Sequence, residues 1–177
     1  MKSEEQLLHD IKNGDRTAMH ELYSRYGGLA AAVARRYVAD EDASNDVLQD
    51  AFVKVFTSIC GFDYRGEGSL KAWVMRIVTN EALTYLRRNS RLTFTDDVPD
   101  EPDEEPEVEK VPPAELNRMI ARLPTGYRTV LNLYVFEEKS HKEISQMLGI
   151  GESSSASQYL RAKRMLAKMI KEYEKRH

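Results

Sequence analysis

The sequence predicts an all-α protein made of two small helical domains, and three observations carry that prediction. Apolar residues recur at helical spacing over residues 3–91 and again over 113–177. Between these stretches the composition changes abruptly. Residues 96–109 hold nine acidic residues and no basic one, and five of the six prolines fall between Pro99 and Pro113. No segment is rich in alternating β-branched residues. The expected domains are residues 1–92 and 113–177, joined by an acidic, extended linker over 93–112, where few apolar side chains are present to form a core.

A chain of 177 residues suffices for one or two small cores. The formal net charge is −3, but removing the nine linker carboxylates leaves the rest at +6. Two basic domains joined by an acidic strap suit a polyanionic partner. No apolar run is long enough to cross a bilayer and no signal-peptide pattern opens the chain, so a soluble cytoplasmic protein without membrane insertion is expected. Cys60 is the only cysteine. It cannot form an internal disulfide, and its place on an apolar helix face predicts a buried structural thiol. His9, His20, His141 and His177 share no ligand spacing with it, so no metal is expected. No glycine-rich phosphate cradle precedes a helix with a suitable lysine. The carboxylates concentrate in the linker, where nothing rigid positions them for acid–base work. Neither a cofactor nor enzymatic activity is expected.

In chain order, Ser3-x-x-Gln6 is a capping box before Leu7, Leu8 and Ile11. Asp15 suits the cap of a helix through Met19, Leu22, Tyr23 and Tyr26, which Gly27-Gly28 loosens or ends. Leu29 to Tyr37 continues helically. Asp40-Glu41-Asp42 places negative charge at the N-terminus of a helix over about residues 43–60. Its core stripe is Val47, Leu48, Ala51, Val55, Phe56 and Ile59, and Asp46, Gln49, Asp50, Val53 and Lys54 lie off that stripe. GFDYRGEGS, residues 61–69, is a loop. Ser69 is placed to cap a long helix to about Arg91, with Trp73, Val74, Ile77, Val78, Leu83 and Leu86 as its apolar positions. Arg76, Asn80, Thr84 and Arg87 form a polar stripe that Arg88 and Arg91 extend. Cations in line, preceded by loop aromatics, suit single-stranded nucleic acid.

Beyond the linker, Pro113 suits a first helical turn, with Leu116, Met119, Ile120 and Leu123 on its apolar face. Pro124-Thr125-Gly126 breaks that helix, and a second over residues 127–136 is built on Val130, Leu131, Tyr134 and Val135. Then comes the most telling stretch, residues 140–166. Ser140-x-x-Glu143 is a capping box, Ile144, Met147 and Leu148 share a face, and Gly149 ends the helix. Glu152 or Ser153 is placed to cap the next helix, whose apolar residues are Ala156, Tyr159, Leu160, Met165 and Leu166. Its polar residues run from uncharged to basic: Ser154, Ser155, Ser157, Gln158, Arg161, Lys163 and Arg164. A helix-turn-helix sets such residues against base edges in the major groove.

The order of these parts resembles the extracytoplasmic-function group of bacterial sigma factors over essentially the whole chain. DASNDVLQDAFVKVF (42–56) is similar to the family's region 2.2, residues 62–88 to regions 2.3 and 2.4, and residues 123–166 to region 4. The resemblance implies a subunit that binds core RNA polymerase and directs promoter-specific initiation. It implies that Asp46, Gln49, Asp50 and Val53 dock on the clamp helices of the β′ subunit. It implies that Phe62, Tyr64 and Arg65 lie near a pocket for an unstacked base of the minus-ten element. Arg76, Asn80, Thr84, Arg87 and Arg88 would contact the strand, with Trp73 in the core. Ser154, Ser155, Ser157, Gln158, Arg161 and Lys163 would read the minus-thirty-five duplex. Arg128, His141 and Lys142 are further phosphate candidates. The recognition helix departs from the family's pattern at Ser155 and Ala156, where members often carry a β-branched residue and then a basic one. An anti-sigma protein is an implied partner. A stand-alone helix-turn-helix regulator would need a sensor or dimerisation domain in the N-terminal half, and an adaptor would bind polymerase without melting promoters.

Overall fold

The computed structural model describes residues 2–89, 92–94 and 111–175. Among the described residues the secondary structure is helical. The chain divides into two compact units, Met1–Asn89 and Ser90–His177.

In the first unit α1 (Glu4–Lys12), α2 (Arg16–Tyr37), α3 (Glu41–Ser58) and α4 (Ser69–Arg88) pack around one core, with a 3-10 turn, Ile59–Gly61, after α3. The capping box forms as expected: Ser3 Oγ accepts from the Gln6 N–H at 3.2 Å and Gln6 Oε1 from the Ser3 N–H at 3.4 Å. Asp15 caps α2 through the Thr17 and Ala18 N–H groups. Asp40 caps α3 through Ala43 N–H at 2.9 Å. α2, α3 and α4 pack mutually and α1 lies on α2. Leu7, Leu22, Ala34, Tyr37, Ala51, Val55, Leu70, Val74, Val78 and Ala82 are wholly buried. α2 runs unbroken through Gly27 and Gly28. Two glycines cost a helix about 1 kcal/mol each, and the buried stripe of Leu22, Tyr26, Ala30 and Val33 outweighs that cost.

Three expectations for this unit change. Cys60 is exposed, because the 3-10 turn swings it off the apolar face that Ile59 keeps. Phe52, rather than Phe56, is the aromatic buried on α3; it packs edge-on to Tyr23 at 4.7 Å. Ser69 does not cap α4. The N-cap is Gly68, whose φ of 90° a side chain would resist, and the cap is supplied by a carboxylate 64 residues away in sequence. Glu4, 2 % exposed, accepts from the N–H groups of Gly68 (2.8 Å), Leu70 (3.1 Å) and Lys71 (3.1 Å) and from the Tyr26 hydroxyl (2.5 Å). A carboxylate at a helix N-terminus gains both hydrogen bonds and the field of the helix dipole. Burial, then the bond to Glu4, pushes the Tyr26 phenol up to about 12.

In the second unit α5 (Pro113–Arg122), α6 (Thr125–Leu131), α7 (His141–Leu148) and α8 (Glu152–Glu174) are joined by short turns. Pro113 holds the first helical position. Ile120, Leu123, Leu131 and Ala162 form the core, and Val111 joins Met119 and Ile170 beside it. Val111, two residues before α5, is therefore packed into the folded unit. After Leu131 the helix relaxes into a π turn, Asn132–Phe136. The extra residue per turn carries Leu133 inward and leaves Tyr134, Val135 and Phe136 exposed, so Tyr134 and Val135 are not core positions as an uninterrupted α-helix would make them.

We expect Glu4→Ala to lower the unfolding free energy of the first unit by about 3 kcal/mol, since three helix-terminal N–H groups and a buried hydroxyl lose their acceptor. Tyr26→Phe should cost about 1 kcal/mol. Urea unfolding of the full chain, followed by Trp73 fluorescence, measures both; a change below about 0.5 kcal/mol for Glu4→Ala would remove the capping role.

Candidate partner-docking and nucleic-acid faces

On α3, Val47, Ala51, Phe52 and Val55 are buried, and Asp46, Gln49, Asp50 and Val53 are exposed on the other side. The spacing of three, four and seven residues puts all four on one face. Val53 is 62 % exposed, an apolar tip among acids. Lys54, beside them, turns to Glu81 of α4 and ties the two helices together.

The loop from Phe62 to Gly68 is held from below. The Lys12 ammonium donates to the Phe62 carbonyl at 2.8 Å, the Arg65 N–H donates to Ser69 Oγ, and Ser69 Oγ–H donates to the Gly66 carbonyl. Phe62 rests on Trp73 with ring centres 4.9 Å apart. Arg65 is exposed and Phe62 and Tyr64 are half-buried. Tyr64 donates to Glu67 at 3.4 Å; desolvation, then the Glu67 charge, raises its phenol above the ordinary value. Along α4, Arg76, Asn80, Arg87 and Arg88 are exposed, and Thr84 is half-buried with its hydroxyl on the Asn80 carbonyl. The loop and this stripe lie at the start and along one helix of the same unit, a fixed ring-bearing loop followed by polar residues at one-turn intervals, with cations at Arg76, Arg87 and Arg88. Arg91 lies outside the described residues, as do residues 95–110 of the acidic stretch.

In the second unit the Ser140–Glu143 capping box closes in both directions, at 3.2 and 2.9 Å. The Ser140 N–H and hydroxyl hold the Glu143 carboxyl below its ordinary range. Gly149, φ 68°, donates to the Ser145 carbonyl, and so does Ile150. α8 starts from Gly151 with no side-chain cap, so neither Glu152 nor Ser153 plays that part.

The expected base-reading set divides. Lys163 is exposed and Ser154 and Ser157 are half-buried. Ser155, Gln158 and Arg161 are buried, at 0, 0 and 6 % exposure, and in this structure they are not open to a duplex. Ser155 is an internal strut: its hydroxyl pairs with His141 Nδ1 at 2.9 Å and joins α7 to α8. Gln158 and Arg161 follow on the next turns of the same side, which runs on to core residue Ala162. His141 is likewise engaged, stacked on Tyr134 at 4.6 Å, and Tyr134 meets Tyr159 at 4.4 Å. Arg128 is buried too, with Nη1 donating to the Ala121 and Leu123 carbonyls. It satisfies the C-terminal carbonyls of α5, and burial lowers its pKa. Lys142 stays exposed. The outward side of α8 also carries Ser153 and Ala156, both exposed. Ala156 is not an apolar packing position, because the inward stripe of α8 is Tyr159, Ala162, Leu166 and Met169.

Two family models match, Sigma-70 region 2 over residues 22–92 and Sigma-70 region 4 over residues 114–166. The chain is 29 % identical to the ECF RNA polymerase sigma-E factor of Haemophilus influenzae, covering 95 % of each chain. The two Sigma-70 regions together match 124 of the 177 residues. The chain is a Sigma-70 type factor, and it is similar to the extracytoplasmic-function sigma factors. It is also 25 % identical to the ECF RNA polymerase sigma factor SigM of Bacillus subtilis, covering 82 % of this chain and 91 % of that one. Among solved structures, CnrH in complex with the cytosolic domain of CnrY is similar at TM-score 0.52 and 26 % identity, covering 93 and 95 % of the two chains. The Bartonella quintana sigma factor RpoE, solved with the anti-sigma factor NepR, shares the fold at TM-score 0.54 and 19 % identity, over 86 % of this chain and 96 % of that one. Helix α1 of this sigma factor, with Glu4, precedes the region 2 match. No helix among the described residues is long and apolar enough to cross a membrane.

The depressed Glu143 pKa sets a sign for pH dependence. Its contribution to the second unit is complete above the ordinary carboxylate range and is lost as pH falls through the lower folded value. Glu143→Gln should therefore melt lower than the parent chain at pH 7, and the difference should shrink on acidification below about pH 4. Thermal melts across pH 3–7 test this; a pH-independent gap would exclude the carboxylate as the source.

Proposed function

We propose that this sigma factor binds core RNA polymerase through the exposed α3 face and melts the minus-ten element with the loop and stripe of α4. Its α7–α8 helix-turn-helix then reads the minus-thirty-five duplex. The observation that carries the reading is the first unit: an exposed Asp46–Gln49–Asp50–Val53 face, backed by a packed core, stands one helix before a ring-bearing loop and a cationic stripe. A stand-alone regulator has no use for such a unit. The Val53 tip suits a buried contact, and the acids around it suit a basic partner surface. Melting needs a compensating seat for an unstacked base, and a loop fixed by Lys12 and Glu4 loses little freedom on providing one.

In the second unit the readers are Ser153, Ser154, Ala156 and Ser157, with Lys142, Lys163 and Arg164 for phosphates. Serines accept and donate to any base edge, and an alanine methyl suits the thymine methyl. Ser155 and His141 set the angle between the two helices rather than reading bases. As a sigma factor the chain directs a polymerase and itself makes and breaks no covalent bond. CnrH was solved with the cytosolic domain of CnrY, and a regulatory protein that covers these faces is the further partner proposed here.

Transcription assays with bacterial core polymerase and a promoter pool test the reading. Promoter-dependent transcripts are expected, and Asp50→Lys with Val53→Asp should abolish them by weakening core binding, leaving duplex binding intact. Lys163→Ala should weaken promoter binding for all sequences alike and flatten the salt dependence by about one ion. Duplex binding with no response to core polymerase would overturn the proposal.

A further inference from the structure

Glu4 meets the loop before α4 with both its side chain and its backbone. Its carboxylate accepts from the Gly68, Leu70 and Lys71 N–H groups at the start of α4. Its own N–H, the first of α1, donates back to Glu67 Oε2 at 3.4 Å. The caps are therefore crossed: a carboxylate of α1 serves α4, and a carboxylate of the loop serves α1. The same Glu67 oxygen accepts from the Tyr64 hydroxyl at 3.4 Å. Glycines at φ 109° and 90° stand on either side of Glu67 and make the tight turn that brings its side chain to both donors.

The consequence falls on Tyr64. A tyrosine on an open loop samples several rotamers, and ordering it costs entropy. Here the ring is tied at its hydroxyl, and the oxygen that ties it is referenced to α1 rather than to the loop alone. Phe62 is settled separately, on Trp73. Of the loop's two rings, Tyr64 is thus the one whose bearing depends on Glu4 and Glu67. Glu4 lies outside the Sigma-70 region 2 match, which begins at residue 22.

We propose that Glu4 and Glu67 are positioning residues for strand opening: their crossed caps hold the Tyr64 ring at the seat for an unstacked base. The inference rests on the reading of this loop as that seat. A ring that is already ordered costs nothing further when the base arrives, whereas a free one has to be ordered at the top of the barrier. The pair therefore acts on the rate of opening and not on binding to polymerase or to duplex.

The test is the kinetics of promoter opening by the full chain with core polymerase, followed with a fluorescent base analogue in the minus-ten element. Glu67→Ala removes the acceptor from an exposed side chain, and Tyr64→Phe removes the donor. Each should lower the maximal opening rate by roughly tenfold, the cost of ordering one ring and its loop, at an unchanged half-saturating concentration. Glu67→Gln keeps an oxygen for both donors and should restore the parent rate. Glu4→Gln sets an amide NH2 against a backbone donor and should match Glu67→Ala. Ile11→Val, which loosens the core beneath the same helix, should leave the rate alone. An unchanged rate in both Glu67→Ala and Tyr64→Phe overturns the proposal. So does a loss that Glu67→Gln fails to restore, or one that appears in the half-saturating concentration instead of the rate. A failure of the underlying reading looks different: the parent chain itself would open no promoter with core polymerase, and the proposal would fall with it.

Discussion

Four donors from two distant parts of the chain converge on the Glu4 carboxylate, and the geometry of the first unit follows from that convergence. Helix α4 begins abruptly, straight after the loop that carries Phe62 and Tyr64. An abrupt start leaves backbone N–H groups without partners. A local serine would satisfy one of them and would leave the loop free to move. A carboxylate held on another helix satisfies three and fixes the loop to α1 and, through Tyr26, to α2. The stiffness of the loop is thus a property of the whole unit.

The second unit solves a related problem with an arginine. Arg128 turns into the interior and meets the carbonyls that end α5. Its aliphatic stem and fixed fork suit that position better than an exposed one. The helix-turn-helix is then set by the Ser155–His141 pair and by the stack of His141, Tyr134 and Tyr159. Polar and aromatic groups inside this small unit fix the angle between α7 and α8, and the outer face of α8 is left to small side chains at Ser153, Ser154, Ala156 and Ser157.

Much of this was legible in the chain. The α3 face was readable because a single period of 3.6 separates Val47, Ala51 and Val55 from Asp46, Gln49, Asp50 and Val53. The capping boxes at Ser3 and Ser140 were readable because both partners lie within one turn. Glu4 was not, since the backbone N–H donors it accepts from lie 64 to 67 residues away. Ser155, Gln158 and Arg161 misled because a polar residue on an amphipathic helix reads as solvent-facing. Which side of α8 is inward depends on where α6 and α7 sit, and that is tertiary information. Cys60 misled for a simpler reason: the helix carrying its apolar period tightens into a 3-10 turn one residue before it.

The π turn at Asn132–Phe136 has a geometric consequence of its own. It is a stored residue, an insertion accommodated by widening one turn of helix. Loss of a single residue there would let the segment return to ordinary α-helix and would rotate everything beyond it by about 100°. The stack of Tyr134 on His141 and Tyr159, and the packing of Leu131 beside Ala162, would be lost with it. The second unit is therefore indexed like a gear tooth, with the bearing of α7 and α8 on α6 set by a residue count upstream of them.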